Sequence, residues 1–312
     1  MRPISPPQPT PGEDWPEEFL RALARADLSA KTISGYKNDI SLFGRWYQET
    51  LGAQFAPGLL IATDLINYRE WLIGARGVKG ATANRHLDAL GRLARWAREH
   101  GLLKEDPAPD VKRVQLGGRR KRHGLADAEV HGLLRSAGLS THGHATRNLA
   151  LVQVLVHTGI RVAEAAALKI GDVQARDRSG FVRIRRGKGL KERELPLNTS
   201  ARRALRKYLD ARGQPPATAP VFESGRGTPM SVRTIQQVIA GLVRRAKIDR
   251  ISVSVHSLRH TFALNFLRDH PGKLVDLQML LGHESLDTTA VYVCPSDEDL
   301  AAAVEHTHLN VY

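Results

Sequence analysis

Residues 255–292 read VHSLRHTFALNFLRDHPGKLVDLQMLLGHESLDTTAVY. Arg259 follows His256 by three positions, so on a helix the two side chains share one face. A guanidinium offers a planar fork of donors, and with an imidazole beside it forms a clamp for a phosphate oxyanion. A helix-sized gap leads to Leu281-Gly282-His283, then to Thr288-Thr289 and finally to Tyr292. Tyrosine is among the side chains that form covalent intermediates. A basic pocket beside a tyrosine nucleophile points to phosphoryl transfer. His256 and His260 lie four apart and raise the question of a metal. The zinc helix motif H-E-x-x-H needs Glu where Ser257 stands, and no third ligand is evident. Neither a metal nor a cofactor is expected.

Two upstream motifs extend the pattern. They are Thr158-Gly159-Ile160-Arg161-Val162-Ala163-Glu164 and Gly187-Lys188-Gly189-Leu190-Lys191-Glu192-Arg193. Taken with H-x-L-R-H, L-G-H and T-T-x-x-Y, in this order and spacing, they resemble the tyrosine recombinases, which include the phage integrases and the Xer-type recombinases. The resemblance implies strand exchange through a covalent intermediate. Tyr292 would attack a scissile phosphodiester and leave a 3′-phosphotyrosine. Arg161 and Arg259 would neutralise the non-bridging oxygens, a type of contribution that is usually the largest in catalysis. His256 would act as base or hydrogen-bond donor, and His283 as a second donor. Lys188, selected over Lys191 by the motif, would protonate the leaving 5′-oxygen. Glu164 and His260 would support these six. Because phosphoryl transfer relies mainly on positioning and electrostatics, three cationic side chains can stand in for metal ions.

Composition agrees with a polyanionic partner. The chain has 312 residues and a formal net charge of +14, far more than solubility needs, and basic character throughout favours nucleic acid. The length suits two domains. The single cysteine, Cys294, allows no internal disulfide and fits a reducing compartment. No apolar run approaches the length of a membrane span, and prolines occupy the place of a signal-peptide core. The expectation is a cytoplasmic protein with no membrane contact.

The fold expected is mainly α with a small antiparallel sheet. Residues 1–13, with five prolines, form an arm. Residues 14–106 carry four amphipathic helices and no strand signal, which suggests a bundle. Trp15, Phe19 and Leu23 mark the first helix. Ser29 caps the second, which bears Ile33, Tyr36, Ile40, Phe43 and Tyr47. Thr63 caps a third, and a fourth runs from Thr82 to His100, closed by Gly101. The aromatic stripe reads as core. The resemblance makes this bundle a SAM-like core-binding domain, with Lys79, Thr82, Asn84 and Arg85 as candidates for DNA contact. Residues 107–124 read as a basic linker, in which Arg119, Arg120, Lys121 and Arg122 are further candidates.

The catalytic domain is expected over 125–294. It has an acidic helix start at Asp127, an apolar helix from Arg147 to Thr158 broken at Gly159, and a short helix opened by Arg161. A hairpin pairs Phe181–Arg186 with Glu192–Leu197 and carries Lys188 in its turn. On a helix from Ser231 to Ala246, Arg233, Gln236 and Gln237 can meet DNA edges. Residues 295–312 form a tail with a short helix, Glu298 to Glu305. By resemblance the two domains would embrace duplex DNA as a C-shaped clamp. The tail would dock on a neighbouring protomer of a tetramer on two sites, with an accessory protein or second recombinase as a further partner. Two other readings are a type IB topoisomerase and a non-cleaving DNA-binding regulator. A metal nuclease lacks the clustered carboxylates it would need.

Overall fold

Ser29 sets the start of the first long helix. Its Oγ accepts the Thr32 N–H at 3.1 Å, relieving one of the unpaired donors at a helix start. In the computed structural model, residues 14–26, 28–116, 124–139, 144–185, 192–213, 215–283, 285–290, 292 and 304 are described. The chain divides into two compact units, Met1–Arg120 and Lys121–Tyr312.

The first unit holds α1 (Trp15–Arg25), α2 (Ala30–Leu51), α3 (Ala62–Gly74) and α4 (Gly80–Glu99). The aromatic stripe is core, as its spacing predicts. Phe43 is fully buried and meets Phe55 and Tyr68 edge-on, both at 4.9 Å between ring centres. Such pairs add about 0.5–1.5 kcal/mol beyond the area they bury. Two expectations need correction. Thr63 does not cap α3, because the chain is already helical at Ala62, and Ile61 occupies the cap without a side-chain bond. Residues 107–116 are not free linker, since Val111 is buried in this unit's core and Ala108 and Val114 pack on it. Asn84 is what holds them: its amide donates to Val114 O at 3.0 Å and accepts from Val114 N at 2.9 Å. An amide bonded to backbone on both sides latches this segment to α4.

The second unit contains α5 (Asp127–Gly138), α6 (Ala145–Thr158), α7 (Val162–Ala167), β1 (Val173–Ala175), β2 (Gly180–Ile184), β3 (Arg193–Pro196), α8 (Thr199–Asp210), α9 (Val232–Arg245), α10 (Val255–Asp269), α11 (Leu274–Leu281) and α12 (Leu286–Ala290). The run Ala150-Leu151-Val152, then Val154-Leu155-Val156, is buried. The apolar residues make α6 a central helix, the axle against which α5, α8 and α10 pack. The sheet is antiparallel in the order β1-β2-β3, with Val182 opposite Leu195 and Ile184 opposite Arg193. Its third strand, β1, is one more than the hairpin expected from sequence. The hairpin turn with Lys188, the basic run Arg119–Arg122, and the tail except Val304 lie outside the described residues. Among the described residues no helix is long and apolar enough to cross a membrane.

Candidate active site

Two left-handed glycines aim the site. Gly159 ends α6 at φ +61°, turning the chain so that Arg161 becomes the N-cap of α7. Gly282 ends α11 at φ +62°. A side chain is strained in this region of backbone space, and glycine is the residue that enters it freely. The carbonyls of these turns receive both arginines. Arg161 Nη2 donates to Gly282 O at 2.8 Å. Arg259, on α10, donates through Nη1 to Gly159 O at 2.6 Å and through Nη2 to Leu281 O at 2.8 Å. Residues far apart in sequence thus converge on one point.

Burial, reinforced by the charge of Arg161, lowers the Arg259 guanidinium to about 10. It therefore stays cationic at neutral pH. Two like charges are held close with little water around Arg259, which is 4% exposed. An anion between them would relieve both the desolvation and the repulsion.

Glu164 supports Arg161. Its Oε2 accepts the Arg161 N–H at 2.9 Å and its Oε1 accepts from Arg161 Nη1 at 3.2 Å. Burial alone would raise this carboxyl. The hydrogen bonds from Arg193 and from the Arg161 backbone outweigh it and hold the group below the usual range.

His283 shows an arrangement that the motif does not reveal. Arg259 Nη2 lies 2.8 Å from His283 Nε2. A guanidinium has no acceptor, so Nε2 accepts and the ring proton sits on Nδ1, which donates to Thr289 Oγ1 at 2.8 Å. Burial, then the charges of Arg259 and Arg161, push His283 down to about 4, and His256 adds to the effect. As arranged, His283 orients Arg259. Donation to a phosphate would require the two to part. Because the folded value lies below the ordinary 6.5, the His283 contribution to stability is present above pH 6.5 and lost as pH falls through about 4. An NMR titration of the His283 ring should show it still neutral midway between those values; a midpoint near the ordinary value would disprove the arrangement.

Tyr292 sits half-buried beside these groups. Its ring lies parallel to His283 at 6.4 Å and against His260 at 4.9 Å, and it packs on the small cluster of Ala263, Leu277 and Leu281. His260 is buried behind it. His256 is exposed on the first turn of α10. Thus Arg161, Glu164, Arg259, His260, His283 and Tyr292 come together, with His256 on the same helix as Arg259. Among the described residues no cluster of His, Cys, Asp and Glu could hold a metal.

Residues 88–299 match the model of the phage integrase family, and residues 17–101 match that of the phage integrase N-terminal SAM-like domain. The chain belongs to the phage integrase family of tyrosine recombinases. Among curated relatives, tyrosine recombinase XerD of Pseudomonas putida is 34% identical over 290 residues, spanning 90% of this chain and 93% of its own. Tyrosine recombinase XerC of Corynebacterium efficiens is 31% identical over 299 residues, 95% of this chain and 90% of its own. The solved structure of XerH site-specific recombinase bound to difH substrate aligns with a TM-score of 0.72 at 21% identity, over 93% of this chain and 83% of that one. At that identity the likeness speaks for the fold.

Of the candidates for DNA contact in this tyrosine recombinase, Lys79 is exposed as the N-cap of α4, and Thr82 is half-buried in its first turn. Arg85 is exposed but paired with buried Asp39. Arg233, Gln236 and Gln237 form the exposed face of α9, opposite Ile235 and Ile239. The residue that sequence reasoning passed over is Arg193. It lies inside the quoted lysine motif, yet nothing local marks it as a partner of Glu164.

Proposed function

We propose that this protein is a site-specific DNA recombinase acting through a 3′-phosphotyrosine, without metal or nucleotide cofactor. The observation that carries the reading is the pair Arg161 and Arg259, braced on the turns at Gly159 and Gly282, next to the Tyr292 ring. A scissile phosphate between the guanidiniums would have its charge matched where the pentacoordinate state builds it up. Tyr292 Oη attacks phosphorus and the 5′-oxygen leaves. Lys188 supplies the proton to that oxygen, and His256 takes the tyrosine proton or donates to the phosphate. His283 keeps Arg259 aimed until the phosphate arrives. Because the phosphotyrosine conserves the energy of the phosphodiester, the 5′-hydroxyl of another strand can reverse the step, and no ATP is needed.

The partner is duplex DNA carrying a specific site. The working assembly is a tetramer of the chain on two sites, in the cytoplasm, with the tail reaching a neighbour. Lys79, Thr82, Asn84, Arg85, the run Arg119–Arg122, and Arg233 with Gln236 and Gln237 contact the duplex. The XerC and XerD names of the relatives and the net charge of +14 support this reading.

A plasmid with two copies of the target site distinguishes recombination from simple relaxation. The expected result is deletion or inversion between the sites. Relaxation of any supercoiled plasmid, with no exchange between sites, would favour the topoisomerase reading instead.

A further inference from the structure

Arg193 belongs to none of the roles assigned above, yet it touches Glu164 and the turn at Gly282, two supports of the arginine pair. It stands on β3 with its side chain 12% exposed. Nη1 donates to Glu164 Oε1 at 3.0 Å and Nη2 donates to Oε2 at 2.9 Å, a parallel two-bond pair. Its Nε donates to Leu280 O at 3.2 Å, at the end of α11. The same guanidinium lies flat on Gly282, where an added Cβ would stand 2.8 Å from Arg193 Cζ. The turn that accepts Arg161 and Arg259 therefore rests on Arg193.

We propose that Arg193 is a positioning residue for phosphate capture: it saturates Glu164 and holds the Leu280–Gly282 turn, so that Arg161 meets the phosphate as an uncompensated cation. This rests on the recombinase reading. The electrostatic reason follows from the counts. Glu164 Oε1 is shared by Arg161 and Arg193. Two guanidiniums and one carboxylate leave one positive charge facing the cleft. Without Arg193 the buried carboxylate has Arg161 as its remaining cationic partner among these three, and the phosphate would face a neutral ion pair. Holding the geometry alone would be a weaker role. The charge makes the two distinguishable.

The test compares wild type, Arg193→Ala, Glu164→Gln and the double variant Arg193→Ala/Glu164→Gln. Each is mixed with a nicked duplex bearing the site recovered from covalent adducts. Single-turnover adduct formation, duplex affinity and thermal melting are measured in parallel. Arg193→Ala should slow adduct formation by about 100-fold, the loss that a misplacement of about 1 Å at the reacting centre can cause. Duplex affinity should stay unchanged. The double variant should recover much of the loss, because a neutral amide in place of the Glu164 carboxylate no longer cancels Arg161. A merely structural Arg193 would make the double variant slower than either single one, and that result overturns the proposal. An unchanged rate in Arg193→Ala overturns it as well. Should Arg193→Ala fail to fold, Arg193→Gln, closer in size and uncharged, carries the same comparison. If wild type itself forms no adduct, the recombinase reading fails first and this inference goes with it.

Discussion

Arg259→Lys is expected to lower single-turnover cleavage by about 10²–10³-fold, the loss seen when one preorganised donor to a developing oxyanion is removed. The reason lies in the number of groups one guanidinium serves. Arg259 spans Gly159 O, Leu281 O and His283 Nε2 at 2.6, 2.8 and 2.8 Å. A lysine keeps the charge, but its single nitrogen cannot occupy both ends of the fork. At least one buried carbonyl then loses its donor, which costs about 1–3 kcal/mol of stability. His283 also loses the donor to its Nε2. Its value should move up from about 4 only as far as the shorter fork carries the positive charge away from Nε2, against which Arg259 Nη2 now lies at 2.8 Å. Rate, melting temperature and the His283 titration should therefore change together. A variant that cleaves at the wild-type rate would remove Arg259 from the clamp.

Gly159→Ala should have a comparably large effect, on stability. The position is left-handed at φ +61°, and a Cβ there would collide with Phe262 Cδ1 and fall 2.9 Å from Leu281 Cδ2. The backbone strain costs about 1–2 kcal/mol and the overpacking about 1–3 kcal/mol. Against a total folding stability of about 5–15 kcal/mol, this is a substantial fraction. Relief by shifting the turn would move Gly159 O away from Arg259, so activity should fall with stability. Urea unfolding followed in the second unit should give a lower midpoint. An unchanged midpoint with full activity would mean that the turn tolerates a side chain, contrary to this geometry.

What the sequence made legible was local. Ser29 capped its helix because a hydroxyl at that place answers a nearby N–H. Gly159 was visible as a break, and His256, Arg259 and His260 share α10 because three- and four-residue spacing is a helical property. What escaped depends on long-range partners. Arg193 finds Glu164 across 29 residues and Leu280 across 87. Asn84 latches Val114 across 30, a bond that nothing near the helix start announces. The strand β1 has only three residues and no alternation to announce it, and it exists because β2 offers an edge. The direction of the His283 hydrogen bonds follows from which neighbour is a guanidinium, a fact of tertiary packing alone.

The central claim is that Tyr292 becomes covalently joined to DNA at a defined site. Its most direct test is recovery of the protein from cells under denaturing conditions, wild type against Tyr292→Phe, followed by sequencing of the attached DNA. DNA is expected on the wild type alone, at one or a few repeated sites. Adducts scattered over many sequences would indicate relaxation chemistry. Adducts that persist in Tyr292→Phe, or none in either protein, would contradict the account.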